Sequence, residues 1–449
     1  MSKKLAIISD HIVTPTGIIS GCVIIENGKI TEIDSVLPGD FDGQVEMVKG
    51  NYVMPGLIDP HVHINEPGRT NWEGFETATI AAAASGITLM VDMPLNSAPV
   101  TTNVANFKMK LVAAENKLNV NVGFWGGVIP GNGMELEELL KAGVLGLKAF
   151  LTHSGIDDFP NAERADLKNA LVLLKKYNKP LLVHCELTEH HKGIDVHKNN
   201  PDDYMSYLNS RPKEWENKAI AMMIDLCRET GALVHIVHLS SAEALPMIKA
   251  AKEEGLNLTV ETAQHYLVFN AEDIPNGKTI YKCAPPIRER ANNNKLWDAL
   301  KSGLIDFVAT DHSPAPPDLK EISSGDLSKA WGGIAGLQFA LCSLWTEAKK
   351  RGCTIEEIAN WMSFSPAKFL GLNNNGKIEA EADADFFIWD PEGETILNQE
   401  DIHHRHKISP YADKVFSGKV LKTYLRGEVI YENKKLVNDH KGTVLLGNF

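Results

Sequence analysis

Two histidines, two residues apart, close an apolar run in the stretch GLIDPHVHINEPGRTN, residues 56–71. Side chains of an extended strand alternate faces, so His61 and His63 point the same way. Two imidazoles sharing one direction suit a metal ion, although H-x-H alone also fits polar residues at a strand end, bonded to backbone or water. Further donors follow similar runs: Lys148 in LGLKAFL, His184 in LLVHCE, His238 in HIVHLSS and Asp311 in FVATDHS. The lysine is the odd member, because an ammonium has no lone pair. Burial and nearby cations favour its neutral amine, and a neutral amine can capture carbon dioxide as a carbamate. That product is a carboxylate on a long arm, able to bridge two metals. Imidazoles and carboxylates without a thiolate suit zinc, and also cobalt, manganese or nickel. Two such cations activate a water and polarise a neighbouring carbonyl. Asp311 can take a proton there and hand it to a leaving nitrogen. The chemistry expected is metal-assisted hydrolysis of an amide-like bond.

Such a site requires elements that bring these residues to one rim. Between residues 53 and 315 a pattern recurs: an apolar run, a polar or glycine-rich turn, then an amphipathic helical stretch. The runs are VMPGLIDPHVH, GITLMVDMP, NVNVGFWGGVI, VLGLKAFL, KPLLVHCE, ALVHIVHLS, NLTVETAQHYL and IDFVATDHS. Helix-like segments between them include FETATIAAAAS, MELEELLKAG, RADLKNALVLLKKY, AEALPMIKAAKEEG and NNNKLWDALKSG. Continuous apolar runs alternating with helices imply a parallel sheet buried on both faces. Eight β/α units over about 260 residues match a TIM-like (β/α)8 barrel, which carries its chemistry at the C-terminal strand ends. A doubly wound open sheet is the alternative. His235 competes with His238, but their odd spacing predicts opposite faces, and His238 is preferred. His265 is expected to be a pocket-wall or structural residue, and His312 to point away from Asp311.

The two ends differ from the middle. Residues 1–52 hold short strands around IENGKI, where Asn27-Gly28 signals a two-residue hairpin, and residues 376–449 carry DADFFIWD and KVLKTYLRGEVIYENKKLV. Neither end is long enough for a comfortable core of its own. The expectation is one small β-sandwich domain formed from both termini (1–52 and 376–449), flanking a barrel over 53–375.

Composition narrows the partners. The 449-residue chain has a formal charge of −13, which argues against nucleic acid or an anionic membrane surface. No apolar run reaches the length of a membrane span, and MSKKLAIISDHIV reads as a first strand and not as a signal peptide. The six cysteines, Cys22, Cys185, Cys227, Cys283, Cys342 and Cys353, are scattered without a C-x-x-C pair. They predict free, mostly buried thiols in a reducing, cytoplasmic compartment.

Taken together, H-x-H, the embedded lysine, the two later histidines and the final aspartate resemble the amidohydrolase superfamily in its cyclic-amidase branch. The resemblance extends to GKIEAEADADFFIWD, where that family usually has glycine in place of Glu381. Within the branch the chain is similar to the allantoinases through PHVHINEPGRTNWEGFETAT, VDMPLNS, GGVIPGN, KAFLTHSG, YKCAPPIR, DHSPAPPDLK and WGGIAGLQFAL. This implies His61, His63, Lys148 as N6-carboxylysine, His184, His238 and Asp311 as metal ligands, with Asp311 also catalytic. It further implies two divalent ions, zinc first, carbon dioxide held as the lysine carbamate, a homotetramer, and allantoin as the small-molecule substrate, opened to allantoate. Dihydroorotases, the nearest rivals, normally continue H-x-H-x-R, the arginine gripping a carboxylate; here the matching residue is Asn65, which suits a neutral ring. Arg69 lies further along and does not match that position. Hydantoinases or dihydropyrimidinases usually differ after the aspartate. A non-catalytic scaffold relative is the alternative from another class, and the complete ligand set counts against it. Substrate contacts are expected from Asn65, Asn96, Cys283 and Ser313, the last two through backbone groups.

Overall fold

In the computed structural model, which describes residues 4–447, each of the eight apolar runs contains a strand. They are Leu57–Val62, Ile87–Asp92, Asn121–Phe124, Leu147–Phe150, Leu181–His184, Val234–Ile236, Leu258–Ala263 and Phe307–Ala309. Paired neighbours are parallel. The third strand reaches the fourth through Gly126–Gly127, which pairs with Leu147 and Lys148. The ring closes where His63 N donates to His312 O at 2.8 Å, beside a parallel bridge between Val62 and His312. Closure removes the edges a doubly wound sheet would have, so the architecture is a TIM-like barrel.

Alternation along the strands decides what faces inward. Leu147, Ala149, Leu181 and Val183 belong to the large core shared with the helices, whereas Phe150 and Leu182 join Ile58, Leu89 and Val91 in a separate cluster. Lys148 and His184 share the parity of that second set, so the site lies at one end of the barrel lumen. The helices follow from their local sequence. Arg164–Tyr177 opens on a capping box between Glu163 and Asp166, buries Leu167, Ala170, Leu171 and Leu174, and stops at left-handed Asn178. Those buried positions repeat with the helical period.

Both termini build one nine-stranded mixed sheet. Lys4–Thr14 is its first strand, and Asn27-Gly28 turns between Gly17–Glu26 and Lys29–Asp34 with positive φ at both residues, as the hairpin signal requires. Ile7, Ile12, Val23, Ile25, Ile388 and Tyr424 lie in a small core of their own. The first apolar run is divided: Tyr52–Pro55 pairs antiparallel with Phe386–Trp389 of this sheet, and the barrel begins at Leu57. The far C-terminal stretch leaves the sheet; Thr443 O accepts from Val122 N at 3.0 Å and Gly143 O from Gly447 N at 2.8 Å. Glu381, where the resembled family usually carries glycine, has φ 69°, a left-handed position that glycine occupies without steric penalty. Among the described residues no helix is long and apolar enough to cross a membrane.

A buried ion pair fixes the barrel next to the histidines. Asp92, at the end of the second strand, takes Ile64 N at 2.7 Å on Oδ1 and Lys110 Nζ at 2.5 Å on Oδ2. Lys110 also reaches Met93 O at 3.2 Å. Both side chains are at most 1% exposed. Lys110→Met leaves the carboxylate without its counter-charge, so it should destabilise the protein by about 3–5 kcal/mol, the usual result of halving a buried pair. Equilibrium urea unfolding measures this; a shift below about 1 kcal/mol would show that the pair behaves as a surface one.

Candidate active site

At the C-terminal rim six side chains converge. Asp311 Oδ1 lies 3.3 Å from His61 Nε2 and 3.4 Å from His63 Nε2. His61, His238 and Asp311 offer ligand atoms within 4.8 Å of one another. His184 Nδ1 and His238 Nε2 stand 3.0 Å apart. Lys148 is fully buried, and its Nζ has no hydrogen-bond partner. Two of the residues reach the rim through left-handed backbone, His238 at φ 39° and Asp311 at φ 46°. Such strained conformations persist where surrounding structure enforces them, and they cluster at functional sites.

Burial sets the charge states. It lowers His63 to about 4 and His184 below the ordinary histidine value, and it carries His238 further down, helped by His184 and Lys148. Those three rings are therefore neutral, each with a lone pair to give. Burial also brings the Lys148 amine down to about 8, against the opposing carboxylates of Glu261 and Asp311. For Asp311 burial works in the other direction, but His61 beside it holds its carboxyl well below the usual range.

The cluster opens into a cavity of about 450 Å³, a size typical of small-molecule sites. Phe150, Thr152, Tyr207, Arg211, Lys282 and Trp331 contribute to its wall, with Asn96, Cys283 and Ser313. The amidohydrolase family model matches residues 52–430. The allantoinase of Arabidopsis thaliana is 44% identical over 98% of this chain and 90% of its own length. The allantoinase of Streptomyces avermitilis is 44% identical over 98% of both. Among solved structures, the L-hydantoinase (dihydropyrimidinase) of Arthrobacter aurescens superposes with a TM-score of 0.92 at 28% identity, covering 99% of this chain and all of that one.

The chain belongs to the amidohydrolase family.

It is accordingly a hydrolytic enzyme, of a family that binds divalent metal. In this amidohydrolase, three of the four expected substrate contacts line the cavity and one does not. Asn65 is fully buried, with Nδ2 donating to Pro314 O at 3.4 Å, and it is absent from the wall. The strand ends at Val62, so alternation no longer governs a residue three positions further on. The preference for His238 over His235 holds, since His238 joins the cluster and lines the cavity, but the expectation of opposite faces does not. The sixth strand ends at Ile236, and the left-handed backbone at His238 re-aims that side chain. Both histidines consequently serve the same assembly: Glu261 bonds His61 Nδ1 with one oxygen and His235 Nε2 at 3.1 Å with the other. His265 is buried with neither ring nitrogen partnered and does not line the cavity. His312 turns away from Asp311, accepting from Gly336 N at 3.2 Å.

Sequence reasoning missed two carboxylates. Glu261 sits beneath His61, fully buried, and also accepts from His238 N at 3.3 Å. Glu186 bonds His184 Nε2 at 2.8 Å and forms a buried ion pair with Arg211. Each takes one imidazole nitrogen, so the other faces the cluster, the arrangement usual behind metal-binding histidines. The available signal was the one that exposed Lys148: a charged residue inside an apolar run, as Glu261 is in NLTVETAQHYL.

Proposed function

We propose that this amidohydrolase is an allantoinase, which hydrolyses the hydantoin ring of allantoin to allantoate with two divalent metal ions. The observation that carries the chemistry is the buried amine of Lys148, unpartnered among four histidines and an aspartate. A buried amine without a partner is unfavourable, and capture of carbon dioxide would turn that donor into a carboxylate able to hold metal. The donor set suits zinc first, with cobalt, manganese or nickel also accommodated. His61, His63, His184, His238, carboxylated Lys148 and Asp311 would hold the metals. When bound, the ions would polarise the scissile carbonyl and acidify a water.

The chain's own groups do the rest. Glu261 fixes His61 with its Nδ1 occupied, and Glu186 does the same for His184 Nε2. Asn96 Nδ2 lies 3.4 Å from His63 Nδ1, while its Oδ1 has no partner. Turning that amide over lets Oδ1 accept the Nδ1 proton and leaves His63 Nε2 bare. Asp311, held ionised by its neighbours, removes a proton from the attacking water and returns it to the departing ring nitrogen. Ser313 Oγ donates to Asp311 Oδ1 at 3.0 Å, which leaves Oδ2 for that transfer.

Substrate choice rests on the two allantoinases to which the chain is 44% identical, whereas the hydantoinase shares the fold at 28%. Among the basic residues of the cavity wall, Arg211 is committed to Glu186 and Lys282 Nζ donates to Ala330 O at 2.5 Å, while Lys198 is exposed to solvent. A homotetramer in the cytoplasm completes the proposal; six buried free thiols agree with a reducing compartment.

Lys148→Ala should retain metal poorly and lose nearly all activity, with partial rescue by small carboxylic acids that occupy the vacated position. Metal analysis and turnover test this together, and a fully active variant would sink the two-metal proposal. Asp311→Asn should lower kcat by ~10²-fold or more, the scale of a general acid–base group, with only a modest fall in metal content. Loss of metal and activity in strict proportion would make Asp311 a ligand and nothing else. Purified enzyme should hydrolyse allantoin at least ~100-fold more efficiently than dihydroorotate, because a buried carboxylate without a partner is strongly disfavoured. Equal kcat/KM values would overturn the substrate assignment.

A further inference from the structure

Lys320 closes the motif DHSPAPPDLK that begins at Asp311, and none of the chemistry above uses it. It is only 4% exposed. Its Nζ donates to three main-chain carbonyls, those of Gly333 at 2.8 Å, Trp331 at 2.9 Å and Lys282 at 3.3 Å. An ammonium has three donors, so each has its own acceptor. Burial, with Lys282 nearby, brings this amine down to about 7. A buried cation whose hydrogen bonds go to carbonyls is a demanding arrangement that needs a fixed cradle.

The three carbonyls belong to two segments, 282–284 and 331–333, which line the active-site cavity together with Ser313. The main chain knits these segments: Gly333 N donates to Lys282 O at 2.9 Å, and Ser313 N to Ile334 O at 3.0 Å. They pack so closely that a Cβ on Gly333 would meet Ser313 O at 2.3 Å. One wall of the cavity therefore includes main chain, at Gly332 and Gly333, which have no side chains, and its spacing depends on what clamps it. Backbone N–H and C=O groups are the natural readers of a neutral ring rich in amide and urea groups.

We propose that Lys320 is a specificity-determining positioning residue, whose ammonium clamps the carbonyls of Lys282, Trp331 and Gly333 and so sets the main-chain wall that reads the substrate's amide and ureido groups. This rests on the allantoinase reading above. The clamp lies apart from the metal ligands, so it acts on substrate affinity and leaves the metals in place.

The test compares wild type with Lys320→Met, which removes all three donors at similar length, and Lys320→Arg, which keeps charge and donors in a planar fork that cannot converge in the same way. Metal content per chain, KM and kcat are measured for allantoin and for unsubstituted hydantoin. The expected result for Lys320→Met is full metal content, KM for allantoin raised ~10-fold or more with kcat changed less than ~3-fold, and weaker preference for allantoin over hydantoin, a split that marks lost substrate binding. Lys320→Arg should show the same pattern to a smaller degree, and it carries the test if the methionine variant does not fold. Unchanged KM and preference in a folded variant, or metal lost in parallel with activity, would overturn the inference. No allantoin turnover by wild type would instead overturn the allantoinase reading.

Discussion

A closed parallel barrel forces every second side chain at the rim into a lumen with little water, and that constraint governs everything around Lys148. Its amine is fully buried and unpartnered. A bare ammonium there would face strong desolvation, and its titration is accordingly drawn down to about 8. The neighbours ease only part of that. Four imidazoles cannot neutralise a cation, and Asp311 already serves His61 and His63. The rim therefore makes poor electrostatic sense as a packed core.

Much of this was readable from residue types and spacing. The eight runs were recognisable because strands buried on both faces are apolar throughout, and the order of donors along them put six groups on one rim. What failed was geometry beyond a strand's last residue. Asn65 matches the arginine of H-x-H-x-R by position, yet the strand ends at Val62 and the loop turns its side chain out of the cavity. His235 was set aside by parity with His238, yet φ 39° at His238 breaks the alternation. Period two holds only while the backbone stays extended, and active-site residues lie where it ceases to be. The division of the first run at Gly56 was hidden for a related reason: VMP and LIDPHV are equally apolar, and only pairing partners distinguish them. Glu381 departs from the family's glycine, and its left-handed φ supplies the physical meaning of that glycine.

The carboxylates Glu261 and Glu186 were harder to find because their role is indirect. Neither is followed by a recognisable spacing, and each acts on a ring whose own position seemed sufficient. Yet a histidine that must present one chosen nitrogen needs its other nitrogen occupied. Glu261 does this for His61 while also holding His235, and Glu186 for His184 while paired to Arg211. His312 is held differently: its Nδ1 accepts from the amides of Gly336 and Leu337, while its Nε2 lies 3.5 Å from Glu73 without a hydrogen bond. That anchoring matters for the neighbour, since His312 is the residue whose carbonyl closes the barrel onto His63. Fixing His312 fixes the backbone on both sides of the ring's seam, with Asp311 just past the end of one strand and His63 just past the end of the other. The barrel's closure and the placement of Asp311 against His63 are thus set by the same buried contacts.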